Sequence, residues 1–278
     1  AHMRQVLDVI LNKSFAKFGM EKGRGETYEA MFTVSSIEQA QKYYELIKRI
    51  KAGQDELKIS EDIRRALPDF PKVAITYSVT ENDEASKLNQ DKMKEALDDY
   101  NDMFGTNYNL AGINAYNANL NDRLARKEKK YLNRSQQLDI VIVVDRLLTG
   151  FDAPCLSTLF IDRQPMSPQN LIQAFSRTNR LFDTKKQYGQ IVTFQSPQAF
   201  KEAINSALAL YSRGGEGEPL AEDFETVKEE FITSLKIVRL LAETPQEVIS
   251  LSKEQKIQFI ADFRGLDHSF NHLKAFTD

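Results

Sequence analysis

Cysteine is almost absent: Cys155 stands alone among 278 residues. One thiol closes no internal disulfide and builds no cysteine-based zinc site, which argues against a secreted disulfide scaffold and for a reducing, cytoplasmic setting. Long apolar runs are missing too. The longest, residues 140–144, falls far short of the roughly 18 consecutive apolar residues that suggest a membrane span, so a soluble protein with no membrane partner is expected. Charge of one sign is also lacking. Lys and Arg number 37 against 40 Asp and Glu, a net charge of −3, so any nucleic-acid contact must come from a local patch and a histone-like binder is excluded. With 41% apolar and 28% charged residues, composition is that of a globular chain, and disorder, collagen and fibre readings drop out. At roughly 100–200 residues per domain the length suits one large or two ordinary domains.

Apolar residues at helical spacing predict a helix over 4–18, broken by Gly19 and the Lys22-Gly23-Arg24-Gly25 run. Residues 29–34 read as a strand. Ser35 and Ser36 stand where a helix cap belongs, ahead of a helix reaching about residue 50. A strand at 73–79, a polar stretch at 80–89 and a long helix through Tyr100 follow, and 101–118 reads as irregular. The β-branched run 138–144 has the pattern of a parallel strand buried on both faces and is expected to be central. Strands at 156–161 and 190–194 flank a helix over 168–180 that opens on proline. Strands alternating with helices predict a parallel α/β sheet. Beyond residue 196 only helical periodicity remains, interrupted by the flexible Gly214-Gly215-Glu216-Gly217-Glu218-Pro219.

A complete nucleotide site would need a glycine-rich loop ending in Gly-Lys-Ser/Thr, and none is present. Asn12-Lys13-Ser14 lacks the preceding glycines, and Asp83-Glu84-Ala85 makes no convincing magnesium site. Pro68-Asp69 matches part of a nuclease motif, but no correctly ordered Glu-x-Lys follows, and it reads as a helix-ending turn. Two segments carry more information. Residues 144–154 follow the 138–144 strand, placing polar groups at its carboxyl end, where open α/β sheets bind ligands. On the helix after the next strand, Gln173, Arg177 and Arg180 fall at i, i+4 and i+7, a single face. A solvated face with ordinary salt bridges is the bland alternative for such a pair of arginines.

The string Gln173-Ala174-Phe175-Ser176-Arg177-Thr178-Asn179-Arg180 resembles motif VI of superfamily 2 helicases, and Thr149-Gly150-Phe151-Asp152 resembles their motif V. The fuller spelling of residues 147–154 is similar to the restriction subunit of type I restriction-modification enzymes. So are Ala30-Met31-Phe32-Thr33-Val34-Ser35-Ser36, Asp99-Tyr100-Asn101 and Tyr188-Gly189-Gln190-Ile191-Val192-Thr193-Phe194. The resemblance extends over about residues 4–200.

It implies an ATP-driven double-stranded DNA translocase with two RecA-like domains, of which this chain resembles the second. Residues 1–3, Ala1-His2-Met3, look like a tag remnant. Residues 4–197 would be the motor domain, a mostly parallel sheet flanked by helices, and 198–278 an incomplete helical domain. By the same resemblance Arg177 and Arg180 are arginine fingers acting on the γ-phosphate, and Gln173, Gly150, Asp152 and Asp145 serve the ATP site. ATP and Mg would be bound mainly by the first motor domain, which these residues do not contain. The implied partners are that domain, double-stranded DNA, and the methyltransferase and specificity subunits. Two positions depart from the superfamily pattern: Val144, where threonine is common, and Thr149, where many members carry arginine.

DNA contact is expected at Ser35 and Ser36, at Thr149, and along a basic helical stripe of Arg123, Lys127, Lys130 and Arg134. A solvated face competes with the stripe reading, and simple N-capping with the serine reading. His268 and His272 share a face at i, i+4, yet two ligands are too few, and no metal is expected. Another superfamily 2 DNA helicase, or a non-catalytic helical module that docks partner subunits, are the alternative functions.

Overall fold

The computed structural model describes residues 1–23, 26–78, 84–144, 153–164, 168–180, 182–183, 186, 188–211 and 224–274. It divides into two units, Ala1–Glu216 and Gly217–Asp278.

The first unit is built on five strands: β1 Glu29–Val34, β2 Val73–Thr76, β3 Ile140–Val143, β4 Leu156–Asp162 and β5 Gln190–Thr193. Their order is β2-β3-β1-β4-β5 and every pairing is parallel. This is the expected α/β, RecA-like class. β3 has neighbours on both sides, but the middle strand is β1. Both are buried along their whole length, so a run of apolar side chains on both faces identifies an internal strand without ranking two such strands.

Helices α1 His2–Asn12, α2 Ile37–Lys51, α3 Glu61–Ala66, α4 Glu84–Phe104, α5 Ile113–Leu124, α6 Pro168–Thr178 and α7 Pro197–Tyr211 complete this unit. α1 ends earlier than its periodicity predicts. Ser14 instead turns its hydroxyl onto the Val9 carbonyl, which it bonds at 2.9 Å, an intrachain competitor for helical hydrogen bonding. The turn at Pro68-Asp69 after α3 is as read. The stretch predicted to be irregular, 101–118, holds the end of α4 and the first half of α5. Four asparagines disguise α5, whose Tyr116, Leu120 and Leu124 are nonetheless buried one turn apart; tertiary packing overrides weak propensity here.

One core joins α1, α2, α4 and α5 to the sheet, with Phe32 packed edge-on against Tyr43 at 4.7 Å and Phe18 against Phe70 at 5.2 Å. Each such fully buried side chain contributes about 1.5–3 kcal/mol by removal from water. α6 packs on β4 and α7, burying Leu171 and Ala174.

The second unit is helical: α8 Phe224–Leu241, α9 Glu247–Ser250 and α10 Lys253–Lys274. α8 and α10 pack along each other, with Phe231 and Phe270 in ring contact at 5.8 Å. The glycine-rich break at 214–219 lies outside the described residues, as does the side chain of His272.

Candidate functional site

Where β1 ends, Ser35 and Ser36 lead into α2. Ser36 is the N-cap, its Oγ accepting the Gln39 backbone N–H at 3.1 Å. Gln39 reaches back: its Oε1 accepts from the Ser35 backbone N–H at 3.1 Å and from the Ser35 hydroxyl at 2.5 Å. This is close to a reciprocal capping box. Both serines are exposed, and their hydroxyls already serve the cap.

The amide of Gln39 donates to Asp162 Oδ2 at 2.8 Å. Asp162 ends β4 with its side chain fully buried and also accepts from Tyr43 at 2.5 Å and from Gln195 and His2 at 2.8 Å each. Burial works to raise its pKa, but the hydrogen bonds from Tyr43, His2 and Gln195 outweigh it and hold the carboxyl below the ordinary range. Next to it, Arg163 donates to the Val144 carbonyl at 3.0 Å, and Thr33 donates to the same oxygen at 3.2 Å. The exits of β1, β3, β4 and β5 are thus tied together at one edge. Asp145, Thr149, Gly150 and Asp152 continue from Val144 and lie outside the described residues.

Helix α6 crosses from β4 back to the start of β5. Because those strands are parallel, its C-terminus lies toward the opposite edge of the sheet from the serines, after about 16 Å of helix at 1.5 Å per residue. Gln173 is exposed, Arg177 half-buried and Arg180 exposed. The single face expected for the three needs correction. α6 stops at Thr178, so Arg180 stands beyond the helix, where its own N–H bonds the Thr178 carbonyl at 3.0 Å.

That exit is tightly held by residues the sequence reading did not select. Lys186 is 3% exposed. Its ammonium donates to the Thr178 carbonyl at 2.8 Å and to the Arg180 carbonyl. Its backbone N–H bonds Asp183 Oδ1 at 2.7 Å, and Asp183 accepts the Tyr28 hydroxyl at 3.0 Å. Burial pushes the Lys186 pKa down to about 8, with Cys155 and Asp183 pulling the other way. Gly189 closes the arrangement, since a Cβ there would stand 2.2 Å from Thr178 Oγ1. A lone glycine just before a predicted strand is the one sequence signal that marks such a close approach.

The basic stripe also needs correction. α5 ends at Leu124, Arg126 takes a left-handed φ of 48°, and short 3₁₀ turns follow at Lys129–Leu132 and Arg134–Gln136. The four residues therefore share no helix. Arg123 is 1% exposed, its guanidinium 3.6 Å from the Phe104 ring centroid and donating to the Tyr100 hydroxyl at 2.9 Å. Arg134 is largely buried between Asp69 and Asp139, at 2.9 and 2.5 Å. Both guanidiniums are spent inside the fold. Lys127 and Lys130 are exposed and paired with Asp122 at 2.7 Å and Glu128 at 3.0 Å.

A second buried cluster lies at the amino-terminal edge. Glu29 accepts from Arg126 at 3.2 Å and from the Cys155 thiol at 3.4 Å, while Arg126 also donates to the Thr27 carbonyl at 2.5 Å. Burial, only partly offset by Arg126, pushes the Glu29 carboxyl up to about 7. Among the described residues, no group of three or more His, Cys, Asp and Glu side chains is placed to hold a metal ion.

Comparison with known proteins supplies a family context. Residues 26–196 match the family model for type I restriction enzyme subunit R domain 3. The chain is 32% identical over 263 residues to the type I restriction enzyme SsaAORF53P endonuclease subunit of Staphylococcus saprophyticus, covering 92% of this chain and 26% of that protein. It is 30% identical over 260 residues to the SauCOLORF180P endonuclease subunit of Staphylococcus aureus strain COL, with the same coverage. A shorter match, 41% over 97 residues, joins 35% of this chain to 8% of the putative MjaVIIP endonuclease subunit of Methanocaldococcus jannaschii. The chain spans about a quarter of the length of the first two of these relatives.

Proposed function

The chain belongs to the type I restriction enzyme subunit R domain 3 family, and on that premise we propose that it is the second RecA-like motor domain of an ATP-driven double-stranded DNA translocase. The observation that carries the reading is the α6 exit. Gln173 on α6 and Arg180 just beyond its end are exposed, Arg177 between them in sequence is half-buried, and the main chain that bears Arg180 is clamped by Lys186.

Two guanidiniums and an amide form a donor set suited to phosphate oxygens and not to a magnesium ion, which wants carboxylate and water oxygens. In this reading Arg177 and Arg180 act on ATP held by a first motor domain, and Mg belongs with that domain too. The fingers stabilise charge that spreads over the γ-phosphate oxygens during transfer. Gln173 orients the same site, and Asp145, Gly150 and Asp152 approach the nucleotide from the loop after β3. Ser35 and Ser36, at the far edge of the sheet, and Thr149 are the proposed DNA contacts. Arg123 and Arg134 are not. The methyltransferase and specificity subunits are the proposed protein partners. Taken alone, the 278-residue chain hydrolyses no ATP.

The test is Arg180→Ala in the full-length subunit assembled with its partners. DNA-stimulated ATP turnover should fall by about 10³–10⁵, the range attributed to an arginine finger, while KM for ATP changes little, because the interaction forms mainly in the transition state. Near wild-type turnover in both Arg177→Ala and Arg180→Ala would overturn the assignment of α6.

A further inference from the structure

An arginine that must meet a charge developing on a partner domain needs a fixed point of departure. Arg180 is not given one by α6, since the helix ends at Thr178. The last carbonyls of any helix lack intrahelical partners and carry the negative end of its dipole. Here they meet a buried ammonium. We propose that Lys186 is a positioning residue, which sets the direction of Arg180 by gripping the main chain on either side of Asn179; the proposal rests on the finger role of Arg180.

Three observations converge on it. Lys186 Nζ bonds the carbonyls of both Thr178 and Arg180, so one cation spans the two residues over which the chain leaves the helix. Lys186 is itself anchored to the segment that leads into β1. Its N–H is held by Asp183, Asp183 by Tyr28, and the Tyr28 backbone N–H bonds the Phe18 carbonyl at 2.8 Å. Phe182 adds an edge contact to the Tyr28 ring at 6.4 Å. Finally, Gly189 lets Thr178 approach so closely that a Cβ there would stand 2.2 Å from the Thr178 hydroxyl oxygen and 2.5 Å from its carbonyl carbon, so any other residue must displace it. A charged side chain buried to 3% exposure, with its ammonium bonded to main-chain oxygens, gives up a solvation that an apolar residue of the same length would not. The fixed exit is what that cost secures.

The experiment is a double-mutant cycle on ATP turnover in the assembled full-length enzyme. A displacement of about 1 Å at a catalytic group costs on the order of 10²-fold, so Lys186→Met should lower kcat by about that factor and leave KM for ATP within a few-fold. In an Arg180→Ala background Lys186→Met should add less than about twofold, since Lys186 acts through Arg180 and the two effects should not multiply. Multiplying effects would overturn the positioning role, as would full activity of Lys186→Met beside a crippled Arg180→Ala. Near wild-type Arg180→Ala would instead defeat the finger reading, whatever Lys186 does. Thermal melts accompany each variant. If Lys186→Met fails to fold, Lys186→Gln, which keeps a neutral donor, replaces it in the same cycle; a smaller loss that vanishes in the Arg180→Ala background is expected, and a loss that persists there refutes the proposal.

Discussion

Replacing Gly189 by alanine tests whether the close packing at the α6 exit is as tight as its geometry says. The φ of Gly189 lies outside the left-handed region, so alanine is allowed there on dihedral grounds and the effect is purely steric. The new Cβ would lie 2.2 Å from Thr178 Oγ1 and 2.5 Å from the Thr178 carbonyl carbon, where ordinary contact begins near 3.4 Å. Something must therefore move by about 1 Å. Thr178 resists, being 1% exposed, with its hydroxyl bonded to the Phe175 carbonyl at 3.1 Å and its carbonyl to Lys186 at 2.8 Å. Overpacking a rigid site costs about 1–3 kcal/mol, and loosening the Lys186 bond adds roughly 1.5–3 kcal/mol for a charged donor. The two ranges add to about 2.5–6 kcal/mol, and the middle of that span, about 3–5 kcal/mol, is the expected destabilisation. At about 2–4 °C per kcal/mol for a unit of this size, the melting midpoint should fall by roughly 6–20 °C. Calorimetry or circular dichroism on the 278-residue chain reads it directly. Adding Thr178→Ala removes the hydroxyl contact but not the backbone one, so it should recover only part of the loss. A Gly189→Ala change below about 1 kcal/mol would refute the reasoning, because no overpacked buried backbone contact is that cheap.

At the other edge of the sheet, Asp162→Asn should cost about 2–4 kcal/mol in urea denaturation, since an amide group turned toward donors from Tyr43, Gln39, Gln195 and His2 leaves at least one charge-assisted bond unmade; a loss under about 1 kcal/mol would mean the cluster adapts freely. Glu29 gives a pH signature of fixed sign. Its folded pKa is raised to about 7, so its contribution is fully present below its unfolded value of about 4.3 and is lost as pH climbs through 7. Wild-type unfolding free energy should therefore decline relative to Glu29→Gln across that window, by up to about 4 kcal/mol. Parallel pH profiles for the two proteins would show that the buried carboxyl titrates normally.

Much of the fold was legible from the chain because strand and helix each leave a period. Residues 29–34 are called to the residue, and the Ser36 cap and the proline that opens α6 mark helix starts through local hydrogen bonding and a fixed φ, which need no distant partner. α5 escaped because asparagine is a poor helix former, and only the burial of Tyr116, Leu120 and Leu124 makes that segment helical. The basic stripe failed for the converse reason. A period of 3.6 assumes an unbroken helix, and the left-handed Arg126 breaks it.

At the candidate site the division is similar. The residue types in 173–180 suit the proposed phosphate-directed chemistry, since the match between guanidinium donors and phosphate oxygens is a property of the side chains themselves. Which cations remain available to act is not such a property. Arg123, Arg134, Arg126 and Lys186 look as mobile in sequence as any surface cation, yet each is committed to a buried acceptor or ring. Sequence alone determined the parallel α/β class and the candidate helix, because periodicity and motif spelling are local. Tertiary structure alone decided that β1 and not β3 lies at the centre, that the exposed serines and Arg180 lie toward opposite edges of the sheet, and that Lys186 holds the chain where it leaves α6. Those facts depend on contacts between residues far apart in the chain, and no local pattern records which distant carbonyl a lysine will reach.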